Sequence, residues 1–343
     1  MPSIAIFGLG AMACLFASRL HPLVNVTLIG HWPQQRILLA DPGLEVLETD
    51  GSTSHHRLHA VAPQAEPSEL VDLALILVKS PQTQQVAQIA PRWLKAPSAS
   101  SAGGLVLTLQ NGIGNRETLS ELLGKERTAQ GVTLQAAHGL GAGRIRHAAE
   151  GPTSLGWEID HRKTDPDGRL STVIELFQQA GFPTDQVDDV ESLMWGKLVL
   201  NAAINPLTAL LRCTNGALLE DSRSRQLLAL AAREVAQVAQ ASKIALPAGD
   251  PVAQAEAACR ATAANRSSML QDVLRGVTTE IDAICGAVVR AGAQVGIPTP
   301  VNRLFLNEVE ALPARGAGPW SDPENAARDL LNALLVERFG ESP

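Results

Sequence analysis

The sequence predicts two domains, an α/β domain followed by an all-α domain. In the first half of the chain, near-continuous apolar runs alternate with helical segments, which is typical of buried parallel strands and their connecting helices. From Val190 onward, nearly every segment has the periodicity of a helix. A chain of 343 residues is long enough for two hydrophobic cores. We expect residues 1–185 to form the first domain, 186–312 the second, and 313–343 a linker and a C-terminal helix.

Composition and charge exclude several classes of protein. Charged residues make up 18% of the chain and hydrophobic residues 45%, as in ordinary globular proteins. The net charge of −7 and the lack of a Lys/Arg cluster argue against a nucleic-acid partner. No apolar run reaches the roughly 18 residues of a membrane span, and the strand-like run from Ile4 leaves no room for a signal peptide. We therefore expect a cytoplasmic protein whose scattered cysteines are free thiols: Cys14, Cys213, Cys259 and Cys285.

The first strand-like run, residues 4–7, leads into a glycine motif and then a helix-like segment through Leu20. The motif is Gly8-Leu9-Gly10-Ala11-Met12-Ala13. Strand, Gly-x-Gly-x-x-Ala and helix in this order are the fingerprint of a Rossmann dinucleotide-binding domain. Gly8 allows the tight turn, Gly10 lets the backbone approach the pyrophosphate, and a small residue at position 13 lets helix and strand pack closely. The pyrophosphate would lie on the helix N-terminus.

A second strand is predicted over residues 25–29, and the residues after it discriminate between NAD and NADP. An acidic residue there would bind the ribose 2′-hydroxyl of NAD, whereas a basic residue accommodates the 2′-phosphate of NADP. From Asn25 to Ala40 there is no acidic residue, and His31 and Arg36 are present. The sequence therefore predicts NADP as the cofactor. For Arg36, a solvated position on a helix is an equally good interpretation.

Two further apolar strands are predicted over residues 73–78 and 105–109. The first ends on Lys79, and the second ends on Gln110-Asn111-Gly112-Ile113-Gly114. Ligands bind at the carboxyl ends of the strands in parallel sheets. We therefore expect Lys79, Gln82 and Asn111 to lie at a ligand site.

The rest of the first domain is predicted to complete the same sheet. Three runs over residues 128–137, 144–149 and 153–157 read as its closing strands, in part antiparallel. Residues 167–181 are predicted to form a helix, and the domain boundary is predicted within 182–189. A cluster of histidines lies in a polar hairpin-like stretch without convergent acids, so we predict no metal site there: His55, His56 and His59.

The stretch from Trp195 to Pro206 carries the most specific polar pattern of the chain. If it is helical, Lys197, Asn201 and Asn205 recur at i, i+4 and i+8 and form one polar row. The row would span roughly 12 Å, enough for three side chains to contact different parts of one small ligand. Pro206 is predicted to end or bend the helix. The alternative interpretation of the row is a solvated helix face.

Two more helices are predicted, one through residues 227–239 and one from about Thr278 to Val295. Between them lies Asn265-Arg266-Ser267-Ser268-Met269-Leu270-Gln271-Asp272, where either serine could cap a helix. Asp272 and Asp282 have the interpretation of surface acids. All eight histidines precede residue 162, so Lys197 and Glu280 are the leading acid–base candidates of this domain.

The C-terminal segment begins with a Gly/Pro-rich stretch from Ala314 to Ser321, predicted to be a linker. An apolar stripe follows at helical spacing: Ala327, Leu330, Leu331, Leu334 and Leu335. It can dock on its own domain or on a partner subunit, and the sequence leaves both open.

The order of these motifs resembles that of the ketopantoate reductases, also called 2-dehydropantoate 2-reductases. The resemblance runs from residue 1 to about residue 310, and its specific part is in the helical domain, because many dehydrogenases share the glycine fingerprint. The motifs that carry it are Gly8 to Ala13, Val78-Lys79, Leu109-Gln110-Asn111-Gly112, Lys197 with Asn201 and Asn205, Ser267-Ser268-Met269, and Thr279-Glu280-Ile281-Asp282.

The resemblance implies an NADPH-dependent enzyme of pantothenate synthesis, possessing an N-terminal Rossmann domain, a C-terminal helical domain and a site in the cleft between them. It implies that Lys197 is the proton donor and that Glu280 organises the site and the cofactor. It also implies a homodimer. The implied substrate contacts are Asn201, Asn205, Ser268 and Asn111, and the implied contacts on the nicotinamide side are Lys79, Gln82, Asn111 and Ala137.

The expected reaction is hydride transfer from NADPH to the C2 ketone of a branched 2-oxo acid. A lysine ammonium would stabilise the charge that develops on the ketone oxygen and would donate the proton. Burial would lower the pKa of Lys197 from about 10.4, whereas Glu280 would raise it, and the sequence does not decide between these effects.

Two alternatives follow from departures from the family pattern. His31-Trp32 stands where many relatives have an arginine, and Cys285 stands where an asparagine is usual. These changes are compatible with an NADP-dependent reductase of another 2-oxo acid or ketone. A non-catalytic NADP-sensing protein is the second alternative. It would need the glycines but not the polar set of the helical domain, which argues against it.

Overall fold

The computed structural model describes residues 3–98, 101–157, 165, 167–312 and 323–339, with side chains described only for 326–334 in the last range. Contacts divide the chain into two compact units. Unit 1 comprises Met1–Gln110 and Asn115–Val190, and unit 2 comprises Asn111–Gly114 and Glu191–Pro343. The short segment Asn111–Gly114 therefore groups with the helical unit, although the expected first domain contained it.

Unit 1 is built from strands that form two sheets. In chain order the strands are β1 (Ser3–Phe7), β2 (Asn25–Ile29), β3 (Leu44–Leu47), β4 (Thr53–His56), β5 (His59–Val61), β6 (Leu73–Ile76), β7 (Leu105–Thr108), β8 (Thr128–Thr133), β9 (Ala136–Gly141), β10 (Arg144–Ala149), β11 (Thr153–Gly156) and β12 (Thr184–Gln186). The main sheet has the order β12-β11-β8-β7-β6-β1-β2-β5 and is parallel except for the pairing of β8 with β11. The smaller sheet has the order β4-β3-β10-β9.

Helices lie between the strands of unit 1, so the main sheet can bury both of its faces. They are α1 (Ala11–Leu20), α2 (Pro33–Ala40), α3 (Thr83–Ile89), α4 (Asn115–Leu123) and α5 (Arg169–Gln179). Side chains alternate across β1, so Ile4 and Ile6 belong to one core while Ala5 and Phe7 belong to another. In the first of these cores the rings of Phe16 and Phe182 stack with their centroids 4.4 Å apart.

The topology of the main sheet brings the predicted ligand residues to one edge. In the parallel register, Phe7 of β1 pairs with Ile29 of β2 and with Ile76 of β6. The residues that follow these strands therefore leave the sheet at the same edge. The chain continues from β1 to β2 on one side and returns to β6 on the other, which is the switch point where open α/β sheets bind ligands.

The closing strands differ from the prediction of a single sheet. The run 128–137 is divided between β8 and β9, and both β9 and β10 belong to the smaller sheet. In β10, exposed Arg144 and Arg146 alternate with buried Ile145 and His147. This alternation is typical of a sheet with one solvated face, and Ile145 is buried in the same core as Phe16.

Unit 2 is helical in its described part. Its helices are α6 (Val190–Leu211), α7 (Ser222–Ala241), α8 (Pro251–Ala261), α9 (Ser268–Arg275), α10 (Ala287–Val295), α11 (Pro300–Glu310) and α12 (Pro323–Phe339). α7 packs against α8, α10, α11 and α12, and its predicted apolar face is fully buried from Leu227 to Ala239.

The predicted helix from Thr278 to Val295 begins later than expected. Gly276, with a φ of 66°, caps α9, and the chain to Glu280 is not helical. A π-helical turn, Asp282–Gly286, then leads into α10. Such turns are rare in proteins, but those that occur often lie at functional sites. A 3.6-residue periodicity in the sequence does not reveal them.

Of the two outcomes predicted for Pro206, an end or a bend of the helix, the first does not occur, because α6 continues to Leu211. A proline inside a helix costs roughly 3 kcal/mol. The turn that follows it is buried, with Leu207, Ala209 and Leu210 each at 0% exposure. Burial of these side chains offsets the cost, since each large apolar side chain contributes about 1.5–3 kcal/mol.

The described part of the C-terminal stripe docks on its own unit, and the side chain of Leu335 lies outside the described residues. Ala326, Ala327, Leu330 and Leu334 of α12 are buried in the core of unit 2, and the helix packs against α7 and α11. The predicted linker from Ala314 to Ser321 lies outside the described residues. Within the described ranges, no helix combines the length and hydropathy needed to cross a membrane.

Candidate active site

The glycine motif forms a tight turn between β1 and α1 in unit 1. Gly8 has a φ of 133°, and a Cβ there would lie 2.9 Å from the carbonyl oxygen of Leu77. Gly10 precedes α1 with an ordinary extended backbone, and apart from Gly10 and its two chain neighbours no residue comes within 4 Å of its Cβ position. Ala13 is fully buried, as helix–strand packing requires. Gly10 immediately precedes α1, whose first N–H groups have no partner within the helix, so the turn fits a pyrophosphate.

A cavity of about 210 Å³ lies beside this turn in unit 1. It is lined by Phe7, Gly8, Leu9, Gly10, Ile29, Gly30, His31, Trp32, Pro63, Val78, Gln82, Gln85, Val86 and Ile89. These lining residues include no Asp or Glu that could bind a ribose 2′-hydroxyl as in NAD enzymes. Two of the predicted cofactor contacts, His31 and Gln82, line the cavity, whereas Arg36 is a partly exposed residue of α2 outside the lining.

A buried amide holds the loop that carries Lys79 and Gln82. Gln110 Nε2 donates to the carbonyl of Val78 at 2.9 Å and to Thr83 Oγ1 at 2.8 Å. Its Oε1 accepts from Thr108 Oγ1 at 2.9 Å. The loop after β6 is therefore tied to the end of β7. We did not predict this role for Gln110 from the sequence. The sequence feature that could have indicated it is the position of Gln110 just after a predicted strand.

Ala137 lies on β9 of the smaller sheet, which packs against α1. It is partly buried against the same core as Ala11 and Met12. Of the three histidines that we excluded as a metal site, His56 lies 3.1 Å from His21, ring nitrogen to ring nitrogen. The described residues contain no cluster that could hold a metal ion.

In unit 2, α6 places Lys197, Asn201 and Asn205 on successive turns. Asn205 is buried at 7% exposure, and Lys197 and Asn201 are partly buried. A solvated helix face would leave all three exposed. The row instead lies at the border of a packed core whose members include Leu198 and Ala202.

Lys197 and Glu280 interact electrostatically inside unit 2. Burial lowers the pKa of Lys197 from 10.5 to about 8, and the negative charge of Glu280 opposes this change. Burial is the larger effect, which answers the question that the sequence left open. Glu280 is itself 5% exposed, and its Oε2 accepts a hydrogen bond of 3.3 Å from Asn111 Nδ2.

The segment Asn111–Gly114 reaches Glu280 because Gly112 packs closely against the π-helical turn. Gly112 has a φ of 84°, and a Cβ there would collide with the carbonyl oxygen of Ala283. The N–H of Ile113 donates to this same carbonyl at 2.9 Å. The glycine that follows Asn111 therefore serves packing within unit 2.

The two adjacent serines have different environments. Ser267 is the N-cap of α9: its Oγ accepts from the N–H of Leu270 at 3.1 Å and lies 2.7 Å from Thr208 Oγ1. Ser268, the predicted substrate contact, is exposed. Asp272, predicted to be a surface acid, is buried at 5% exposure. The Asp282 carboxylate is exposed and pairs with Arg290 at 2.6 Å.

Two further polar or thiol side chains of unit 2 are buried, those of Asn215 and Cys285. Asn215 was not predicted: it is buried, its Nδ2 donates to Thr262 Oγ1 at 2.8 Å, and its Oδ1 accepts no hydrogen bond from the described residues. Cys285 is fully buried in the π-helical turn, where burial raises the pKa of its thiol well above the usual value.

Similarity to known proteins extends over both units. The family model described as Ketopantoate reductase PanE/ApbA matches residues 4–157, and the one described as Ketopantoate reductase PanE/ApbA C terminal matches residues 189–312. A 2-dehydropantoate 2-reductase from Halobacterium salinarum is 32% identical over 286 residues, which cover 83% of this chain and 89% of the relative.

Two solved structures share the architecture. A PanE/ApbA family ketopantoate reductase from Ralstonia eutropha JMP134 has a TM-score of 0.80 and 29% identity, covering 91% of this chain and 99% of its own. D-mandelate dehydrogenase with NADH and anilino(oxo)acetate has a TM-score of 0.82 and 25% identity, covering 91% of this chain and 98% of its own.

Proposed function

Because the chain belongs to the ketopantoate reductase family, we propose that it reduces 2-dehydropantoate to pantoate with NADPH, a step of pantothenate synthesis. The observation that carries the proposal is the environment of Lys197, an ammonium whose burial lowers its pKa to about 8 beside the buried Glu280. A lysine whose pKa is lowered by desolvation beside a charged partner is typical of functional sites.

NADPH supplies the hydride when bound. In unit 1, the turn at Gly8 and Gly10 and the N-terminus of α1 hold the pyrophosphate. His31 and Arg36 contact the 2′-phosphate. Lys79 and Gln82 lie on the nicotinamide side. The open space at Gly10 supports this assignment, as does a cavity lining without carboxylates.

Lys197 acts on the ketone oxygen of the substrate. Its ammonium stabilises the negative charge that develops there as the hydride arrives, and Nζ donates the proton. A pKa of about 8 keeps the group protonated at neutral pH and makes it a stronger acid than an ordinary lysine. The negative charge of Glu280 helps Lys197 to stay protonated. The same carboxylate positions the amide of Asn111.

Asn201, Asn205 and Ser268 hold the rest of the substrate. Neutral amide and hydroxyl donors can bind a carboxylate or a hydroxyl group without adding a charge that would compete with Lys197. Asn205 is the most buried of the three, so it forms the floor of this subsite.

A second candidate is the reduction of another 2-oxo acid by the same residues. The similarity to D-mandelate dehydrogenase bound to NADH and anilino(oxo)acetate favours it, because that protein has the same fold and a 2-oxo acid derivative as its ligand. The substitutions at His31-Trp32 and Cys285 are the sequence features that accompany this alternative.

We further propose that the enzyme acts in the cytoplasm as a homodimer and binds no nucleic acid. The net charge of −7 and four free cysteines support this assignment. Light scattering after gel filtration would test the dimer, and a mass of 36.2 kDa would contradict it.

The test is NADPH oxidation at 340 nm with ketopantoate, repeated with NADH and with phenylglyoxylate, an aromatic 2-oxo acid. We expect turnover that prefers NADPH and ketopantoate and that Lys197→Ala abolishes, while the exposed control Lys125→Ala retains it. Faster turnover of phenylglyoxylate would favour the second candidate. Binding of NADPH without reduction of either acid would contradict both.

A further inference from the structure

Trp32 lies at the rim of the unit 1 cavity with 44% of its surface exposed. The other described tryptophans, Trp93, Trp157 and Trp195, are all buried, at 3%, 6% and 4% exposure. A single exposed apolar side chain needs no special explanation. The position of this one does, because it lines the same cavity as Gly8 and Gly10.

The backbone holds Trp32 firmly at this rim. Trp32 is the third residue after the end of β2 and precedes Pro33, the first residue of α2. A residue before proline is restricted to extended conformations, and Trp32 has φ −80° and ψ 98°. Its carbonyl accepts the N–H of Arg36 at 3.2 Å in the first turn of α2. The indole therefore has little backbone freedom to lose when a ligand contacts it.

The walls of this cavity suit a flat, apolar ring system. Pro63, Val86 and Ile89 contribute apolar surface to the lining, together with Trp32. Polar groups are supplied at the edge by His31 and by the amides of Gln82 and Gln85. A purine has apolar faces and a polar edge, and aromatic side chains stack on the faces of nucleobases.

We propose that Trp32 is the surface on which the adenine of the dinucleotide stacks. The inference rests on the cofactor assigned in the proposed function. It adds that Trp32 and Arg36 bind different parts of the adenosine half of that cofactor. The pyrophosphate at Gly10 leads directly to the adenosine, so the adenine reaches the part of the cavity lined by Trp32. Trp32 contributes affinity for any adenosine nucleotide, whereas the guanidinium of Arg36 contributes only when a 2′-phosphate is present.

The experiment titrates the intact protein with 5′-AMP and with adenosine 2′,5′-bisphosphate, following tryptophan fluorescence and, separately, binding heat. We expect both nucleotides to quench the emission of the wild-type protein. Trp32→Phe should abolish the quenching and keep most of the affinity, because a phenyl ring also stacks. Trp32→Ala should weaken both nucleotides by about tenfold or more, the range expected for loss of one stacked base.

Two matched variants separate this role from general effects. Arg36→Gln should weaken the bisphosphate but not 5′-AMP. Ile37→Ala removes another exposed apolar side chain of α2, at 69% exposure and outside the cavity lining, and it should change neither affinity. Circular dichroism and the unfolding transition of each variant report whether the fold is retained.

Unchanged affinity of folded Trp32→Ala for 5′-AMP would overturn the proposal, and so would full quenching in Trp32→Phe. Neither readout requires turnover. If the nucleotides bind as expected while ketopantoate is not reduced, the result supports adenine stacking on Trp32 and contradicts the proposed reaction. If ketopantoate is reduced and Trp32→Ala leaves the KM for NADPH unchanged, the result supports the proposed reaction and contradicts adenine stacking on Trp32.

Discussion

Asn111 and Glu280 are 169 positions apart in the chain, yet the amide of Asn111 donates a hydrogen bond of 3.3 Å to the carboxylate of Glu280. Glu280 is also the charge that raises the pKa of Lys197 against the effect of burial. The buried carboxylate of Glu280 thus interacts with both an amide and an ammonium. Its charge raises the pKa of the ammonium and so extends the pH range over which Lys197 keeps its proton.

The rate of ketone reduction should fall as the pH rises through about 8, because Lys197, the proposed proton donor, then loses its proton. Glu280→Gln keeps an oxygen for Asn111 but removes the charge that raises the pKa of Lys197. The alkaline limb of kcat/KM should therefore move to lower pH in this variant. A pH profile measured under identical conditions checks this, and an unmoved limb would show that Glu280 does not tune Lys197.

Lys197→Met should inactivate the enzyme and stabilise its fold. The pKa of Lys197 is lowered from 10.5 to about 8 in the folded state, so at pH 7 folding disfavours the ammonium. Removing it should raise the free energy of unfolding by on the order of 1–3 kcal/mol, since one pKa unit corresponds to about 1.36 kcal/mol. Wild-type stability should rise between pH 8 and 10.5, so urea unfolding should show the difference shrinking in that window. A less stable variant at pH 7 would contradict the prediction.

Ser267→Ala and Ser268→Ala should separate stability from binding. Ser267 caps α9 and contacts Thr208, so its loss should lower the free energy of unfolding by about 1–2 kcal/mol. Ser268 is exposed, so its loss should change stability by less than about 0.5 kcal/mol. It should instead raise the KM for the 2-oxo acid about fivefold, as for one lost hydrogen bond. Equal effects of both variants on KM would remove the distinction.

Gly10→Ala should fold normally and lose its cofactor. The backbone of Gly10 is in an ordinary extended conformation, and a Cβ there meets no residue within 4 Å other than the chain neighbours of Gly10. The methyl group would occupy the space that we propose for the pyrophosphate. Gly8→Ala is the contrasting variant, because its φ of 133° and the Leu77 carbonyl at 2.9 Å should destabilise the fold itself. Thermal unfolding with and without NADP⁺ distinguishes the two, and a normal NADP⁺-induced shift in Gly10→Ala would contradict the assignment.

The pair of His21 and His56 should make unit 1 sensitive to acid. Burial lowers the pKa of both side chains below the usual 6.5, and for His56 the charges of His21, Arg19 and His55 add to this effect while Glu48 opposes it. The unfolded chain therefore takes up protons first as the pH falls below 6.5, and the free energy of unfolding should decrease there. Urea unfolding at pH 7 and pH 5 should show a smaller decrease for His56→Gln. An identical decrease would exclude the pair as the cause.

The sequence by itself determined the parts that depend on local structure. A strand followed by Gly8 and Gly10 specifies the tight turn, because backbone sterics and the need for close approach act over a few residues. The spacing of Lys197, Asn201 and Asn205 specifies one helix face for the same reason, since helical periodicity is a local property. The continuous apolar runs predicted the buried parallel sheet.

Only the tertiary structure decided what depends on neighbours distant in the chain. The balance between burial and Glu280 at Lys197, the burial of Asp272 and the continuation of α6 through Pro206 each follow from how densely other segments pack around a residue. The same applies to the pairing of β9 and β10 in a separate sheet. Desolvation and packing are sums over contacts between remote segments, so the identity of a residue and its immediate neighbours does not contain them.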